Sequence, residues 1–270
     1  MKLVKLFLVF ILSSFIGISA LFAQYEFMHG TRFGHFVFSA PDIVVRWGYL
    51  EGVSDAVIVN TGTYSIEHDH GIPFINFYWN DGTTERFLML INESFMVLYS
   101  DNTMPAHVGI RRDLWRGSIV PVPGIRATST LREGNIVYSA TPERLFLHIN
   151  RVWAVEGGVG EKLYVNFHEY SAGLFISIGY VHFHRPYLFQ HNSRPKRIRI
   201  SWVDYESYVE IELFDTPNFQ RIRLPPRSSP EDNPWWWRNN ASFKIEILDI
   251  FPGTRYNHMC INSIVNIIFP

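Results

Sequence analysis

Hydrophobic and polar positions along this chain alternate in short runs, a period that predicts strands and not amphipathic helices. Thr63-Tyr-Ser-Ile-Glu-His68 alternates, and Phe74-Ile-Asn-Phe-Tyr-Trp79 is stopped by Asn80-Asp81-Gly82. An Asp-Gly pair supplies the left-handed backbone position that a tight hairpin needs. Glu85–Ile91 therefore reads as the returning strand and Glu93–Tyr99 as the next one. Short strands in this succession predict a small antiparallel meander or barrel. Further along, Lys162–Phe167, Gly173–Ile178, Arg197–Trp202, Tyr208–Leu213, Arg221–Leu224 and Ser242–Leu248 carry the same signature. One apolar and one polar face per strand is the pattern of a two-layer sandwich. The predicted class is all-β.

Between the two strand-rich regions the pattern breaks. Met104-Pro105, Pro121-Val-Pro123 and Gly124 interrupt it, and Arg111, Arg112, Asp113 and Arg116 make it polar. This predicts a small β-domain over 24–110, a linker over 111–125 and a sandwich over 126–270. The first 23 residues read differently. Lys2 and Lys5 precede the apolar run Leu6–Leu12, and small residues lead to Ala23 before the polar Gln24. That is the form of a secretory signal peptide cut after Ala23, with export to the periplasm or the outer surface as the expectation. The competing reading, an uncleaved anchor, is weakened by Ser13, Ser14, Gly17 and Ser19. Once the leader is removed, no transmembrane segment is expected.

Composition narrows the chemistry. The single cysteine, Cys260, excludes an intramolecular disulfide, so a hydrophobic core must hold the fold. Hydrophobic residues make up 47% of the chain and aromatics 16%, enough for one or two cores. The formal charge of −1 falls further when Lys2 and Lys5 leave with the signal, which argues against nucleic acid as a partner. No Gly-x-Ser-x-Gly, His-Glu-x-x-His or phosphate-cradling glycine loop is present. Cys260 sits in an apolar terminal run and reads as core, not nucleophile.

The second half of the chain resembles a known module. Ser129-Thr-Leu131 with Glu133, Trp153 through Leu163, Gly179-Tyr180, and Tyr187-Leu188 with Asn192, Arg194 and Lys196 occur in one order. Asp215, Asp249-Ile-Phe-Pro-Gly253, Tyr256 and Cys260-Ile261 complete it. Together they are similar to the glycan-binding domain named after bacterial NAD glycohydrolase toxins. That domain is a jelly roll of the discoidin, or coagulation-factor type C, class within the galactose-binding-like superfamily. The resemblance covers roughly residues 126–270. It implies a jelly-roll fold and a glycan or glycoconjugate as ligand, with no cofactor. Acidic residues that flank the family's cysteine are replaced here by Asn257, His258, Asn262 and Ser263, which puts any cation-binding role there in doubt. Nothing in the chain resembles the toxin's NAD-cleaving domain.

Two segments are candidates for binding. Pro225–Asn240 joins two strands through about 16 residues, a length that is uncommon in a compact domain without a function. It contains Trp235, Trp236 and Trp237, and neighbours on an extended chain face opposite ways, so all three cannot enter one core. Indole faces stack on sugar rings, and Arg238 adds hydrogen-bond donors. The alternative is that Trp235 and Trp237 plug the sandwich; a third reading has the indoles entering a membrane. The second segment, from Gly179-Tyr180 through Arg194, offers Tyr180, His184, Asn192 and Arg194, with His182, Arg185 and Tyr187 in the same cluster and Arg194 suited to a carboxylated or planar group. Its alternative is structural, because Gly-Tyr and Asn-x-Arg turns commonly serve the backbone.

Two other constellations carry less. His68-Asp-His70 and His182-x-His184 repeat a spacing that zinc can use, but three or four ligands must converge, so no metal is expected. Glu156 and Glu161 flank flexible glycines and are the only pair offered for a glycosidase reading, which the resemblance makes a structural turn. The expected function is non-enzymatic carbohydrate binding. A structural or protein-interaction role in the bacterial envelope stands beside it, and a glycoside hydrolase stands third.

Overall fold

The computed structural model describes residues 26–29, 35–39, 42–48, 57–100, 105–111, 118–166, 171–203, 207–225 and 242–268. The signal-peptide segment, Trp235, Trp236, Trp237 and Arg238 lie outside the described residues.

The first body is a closed antiparallel barrel of eight strands in sequence order. They are β1 (Glu26–His29), β2 (His35–Ser39), β3 (Ile43–Gly48), β4 (Val57–Asp69), β5 (Ile72–Trp79), β6 (Thr84–Ile91), β7 (Phe95–Tyr99) and β8 (His107–Arg111). Pairing of β1 with β8 closes the ring and leaves no free edge. The β5–β6 hairpin turns where Asn80-Asp81-Gly82 predicts it, with Gly82 at φ 86°. The Asp81 carboxylate accepts from the Thr83 hydroxyl (2.6 Å), the Thr83 amide (2.9 Å) and the Asn60 amide (2.8 Å), and these bonds lower its pKa.

The sandwich follows. Its strands are β9 (Ser118–Pro121), β10 (Ile125–Ala127), β11 (Arg132–Glu133), β12 (Ile136–Val137), β13 (Trp153–Glu156), β14 (Lys162–Asn166), β15 (Ser171–Ile178), β16 (Arg194–Trp202), β17 (Tyr208–Glu212), β18 (Gln220–Ile222), β19 (Ser242–Phe251) and β20 (His258–Ile268). A single turn of helix, α1 (Leu188–His191), precedes β16. One sheet has the order β10-β14-β19-β16-β17 and the other β13-β20-β15-β18, with β9 also on β20. The alternating strands β14 and β19 turn Leu163, Val165, Phe243 and Ile245 inward, where they meet Trp153, Ile176 and Ile261 of the opposite sheet. The expected linker over 111–125 is only partly a connection: β9 pairs with β20 (Val265↔Pro121) and β10 begins at Ile125.

The two bodies share a core. Along β6 and β7 every second side chain enters the barrel (Phe87, Met89, Met96, Leu98). The others (Leu88, Leu90, Phe95, Val97) point out of the barrel and pack on Phe175, Phe219 and Val265 of the sandwich. Continuous apolar runs in antiparallel strands mean that both faces are covered. The Tyr99 hydroxyl crosses this seam and donates to the Leu147 carbonyl (2.9 Å), fully buried.

Candidate functional site

Alternation along β20 sends Met259 and Ile261 into the sandwich core and Cys260 to the opposite side of the sheet, opposite Ala154 of β13. There Val152, Ala154 and Cys260 form a small apolar floor under Leu131, Tyr138 and Tyr180. The β11–β12 hairpin lies over this floor. The Leu131 amide donates to the Ala154 carbonyl (2.7 Å), and the Ala154 amide donates to the Tyr138 carbonyl (3.2 Å). On the other side Gly179, at φ 85°, turns the chain out of β15 and donates to the Cys260 carbonyl (2.9 Å), so Tyr180 rises beside the sheet.

A cleft of about 190 Å³ results, and its walls include Glu133, Tyr138, Tyr180, Arg185, Tyr256 and His258. Tyr138 donates its hydroxyl to Glu133 Oε2 (2.9 Å). His258 Nδ1 lies 3.6 Å from Glu133 Oε1, an ion pair whenever the imidazole is protonated. The Tyr256 ring stacks on that imidazole, centroids 5.9 Å apart and planes 8° from parallel. Tyr138 and Tyr180 meet edge to face at 6.4 Å. Burial, and then the Glu133 hydrogen bond, pushes the Tyr138 phenol up; burial does the same to Tyr180, partly opposed by the charge of Arg185. Both phenols are neutral donors at physiological pH.

Of the expected ligand residues, Tyr180 stands in the wall. Asn192 borders the cleft, but its amide donates to the Leu188 carbonyl (2.9 Å) and the residue is buried. Arg194 is committed within the chain. Nε and Nη2 hold Asp215 at 2.6 and 2.8 Å, and Nη1 donates to the carbonyls of Phe189 (2.9 Å) and Asn192 (2.7 Å). Its guanidinium also lies over the Phe189 ring at 4.9 Å. The geometry therefore favours the structural reading of Arg194: it clamps the loop between Tyr180 and β16. His184 is exposed, with its ring 5.1 Å from Phe183, and does not line the cleft.

Sequence reasoning did not place Tyr138, Tyr256 or His258 in a binding site, whereas Arg185 lies within the second candidate segment, offered as one wall of a site. Glu133 and Tyr138 lie across a two-strand hairpin and were within reach of a turn argument. The approach of His258 depends on the β13–β20 register (Glu156↔His258), which local sequence does not specify. Among the described residues no three of His, Cys, Asp and Glu converge as a metal site. Glu161 accepts from the Thr128 hydroxyl (2.6 Å), and Gly157, Gly158 and Gly160 all have positive φ, so the Glu156–Glu161 segment is a built turn.

Burial drives the Cys260 thiol well above its usual range, so it stays protonated and shielded. A thiol reagent at neutral pH is expected to leave the folded protein unmodified and to label it at the rate of unfolding in denaturant. Fast labelling of the native protein would show that the cleft floor is open.

A larger cavity of about 810 Å³ lies along the seam between barrel and sandwich, bordered by Ile66, Met89, Phe175, Leu213 and Phe219. Among its amide side chains, Asn218 accepts from the Ile91 amide (3.2 Å), Gln220 bonds both backbone groups of Phe214 (2.7 and 3.1 Å), and Asn92 accepts from the Ser94 and Phe95 amides (2.6 and 2.9 Å) while its buried Nδ2 has no partner among the described residues. The smaller cleft has the greater concentration of aromatic and charged groups.

No protein-family model matches the chain. No curated protein matches it. Among solved structures it is similar to the arabinofuranosyltransferase AftD from mycobacteria, seen by cryo-electron microscopy, at 14% identity and a TM-score of 0.32. That likeness covers 55% of this chain and spans 11% of the other, and at this TM-score it carries no argument about function.

Proposed function

We propose that this is an exported, non-enzymatic protein that binds carbohydrate through its C-terminal sandwich, in keeping with the resemblance to the glycan-binding module of the bacterial NAD glycohydrolase toxins. The observation that carries the reading is the cleft over β13 and β20, where tyrosine rings and hydrogen-bonding groups share one opening. At about 190 Å³ it is smaller than the roughly 300–1,000 Å³ of sites for drug-sized ligands, which fits one sugar ring. Aromatic edges and faces take the C–H surfaces of such a ring. Glu133 accepts from hydroxyls, while Tyr180 and His258 donate to or accept from them. Glu133 is the one carboxylate among the described residues lining the cleft, whereas glycoside hydrolysis ordinarily needs two. A shallow site of this kind binds weakly, so useful avidity depends on multivalent presentation.

A glycan array probed with the protein and its variants tests this. Tyr180→Ala and Tyr256→Ala are each expected to weaken binding by about tenfold, since each removes a ring from the wall. Changing Trp235, Trp236 and Trp237 to alanine forms the second arm. Loss confined to those variants would move the site to the tryptophan segment. Absence of any retained glycan at high protein loading would refute the proposal.

A further inference from the structure

The charged groups around the cleft are not equally engaged. Glu133 already faces the Tyr138 hydroxyl and the His258 imidazole. Arg194 is closed off by Asp215 and two carbonyls. Arg185 borders the same cleft, is exposed, and makes no side-chain hydrogen bond or ion pair among the described residues. Its field reaches the ring of Tyr180 and that of His182, which places the positive charge at the aromatic wall.

The backbone under Arg185 is fixed. Its carbonyl accepts from the Leu188 amide (3.0 Å) across Pro186, a turn that proline at the second position pre-sets. Pro186 is buried, and the Phe189 amide donates to its carbonyl (3.1 Å) as α1 begins. The side chain therefore extends from an ordered stem, and only its own rotamers need ordering when a ligand arrives. A guanidinium presents a planar fork that matches a carboxylate through two parallel hydrogen bonds.

From this we infer that the cleft selects a terminal sugar bearing a carboxylate, a uronic acid, whose carboxylate pairs with Arg185 while its hydroxyls reach Glu133 and His258. The inference rests on the carbohydrate-binding reading and names the class of sugar. Arg185 is the specificity residue, and the tyrosines bind acidic and neutral rings alike.

Titration calorimetry with two oligosaccharides of equal length and linkage, one ending in glucuronic acid and one in glucose, separates the two levels. The acidic probe is expected to bind about tenfold more tightly at low salt, with the margin shrinking as salt screens the pair. In Arg185→Gln the margin falls to below about twofold while the glucose-terminated probe is unaffected, and Arg185→Lys keeps part of it. Arg185 is exposed, so these variants should keep the wild-type melting temperature, which a thermal melt checks. Equal binding of both probes to wild type, or a margin that survives Arg185→Gln, overturns this inference and leaves the carbohydrate reading standing if Tyr180→Ala still weakens binding of both probes. Failure of both probes, and of the whole array, removes the carbohydrate reading and this inference with it.

Discussion

Replacing Phe95 by alanine is expected to destabilise the whole protein by about 3–5 kcal/mol, the range for truncating a buried aromatic. Phe95 is fully buried, and its ring packs 4.8 Å from Phe219 and 5.3 Å from Phe175, the latter edge to face. It leaves β7 on the outer side of the barrel, so the cavity would open in the seam with the sandwich and not in either body alone. That seam is apolar through Leu88, Leu90 and Val97 on one side and Phe175, Phe219 and Val265 on the other. Two bodies joined by such a surface unfold as one cooperative unit. Urea unfolding followed by circular dichroism should show a single transition in wild type and a lower midpoint in Phe95→Ala. A change below about 1 kcal/mol would mean that the seam contributes little to stability.

The second large effect is expected at Arg194. Its guanidinium has 7% side-chain exposure and makes a two-pronged pair with Asp215, whose side chain is 39% exposed. Truncation to alanine lets Asp215 recover water, so the orphaned carboxylate is the smaller loss. The larger loss is at the carbonyls of Phe189 and Asn192, which surrender their charged donor inside the protein. Each buried group left unpaired costs about 1–3 kcal/mol, and the packing over Phe189 is lost as well. Arg194→Ala should therefore cost about 3 kcal/mol in thermal or denaturant melts. Asp215→Asn, which leaves both carbonyls paired, should cost clearly less. Equal losses in the two variants would show that the ion pair, not the carbonyl clamp, carries the stability. Because the clamped loop starts at Tyr180, Arg194→Ala should also weaken ligand binding and, unlike Arg185→Gln, should do so with a lowered melting temperature.

These two arginines mark the limit of what local sequence conveys. Both stand in the same loop region beside aromatic residues, and a reading by residue type points to Arg194 for an anionic group. Burial reverses the choice: Arg194 is enclosed by hydrogen-bond partners up to 21 positions away and by the Phe251 ring of β19, and Arg185 is left facing the cleft. The same limit applies to the strands. β14 and β19 alternate and declare one wet face, and both form where that period predicts. Phe87–Ile91 and Phe95–Tyr99 are continuously apolar, which marks a strand but does not say what covers the second face. The stretch expected as a linker contains β9, because its partner β20 lies far along the chain and prolines are tolerated at a sheet margin.

From sequence alone came the all-β class, the two strand-rich regions, the Asn80-Asp81-Gly82 hairpin and the turn character of the glycines after Glu156. Each follows from side-chain periodicity or from backbone sterics, which act within a few residues of one another. Tertiary structure alone decided that barrel and sandwich share a core, that Glu133 and His258 meet over Cys260, and which arginine remains open. Those outcomes depend on strand register and burial between residues distant in sequence. No local preference encodes which of several similar side chains will be enclosed and which will be left at the surface.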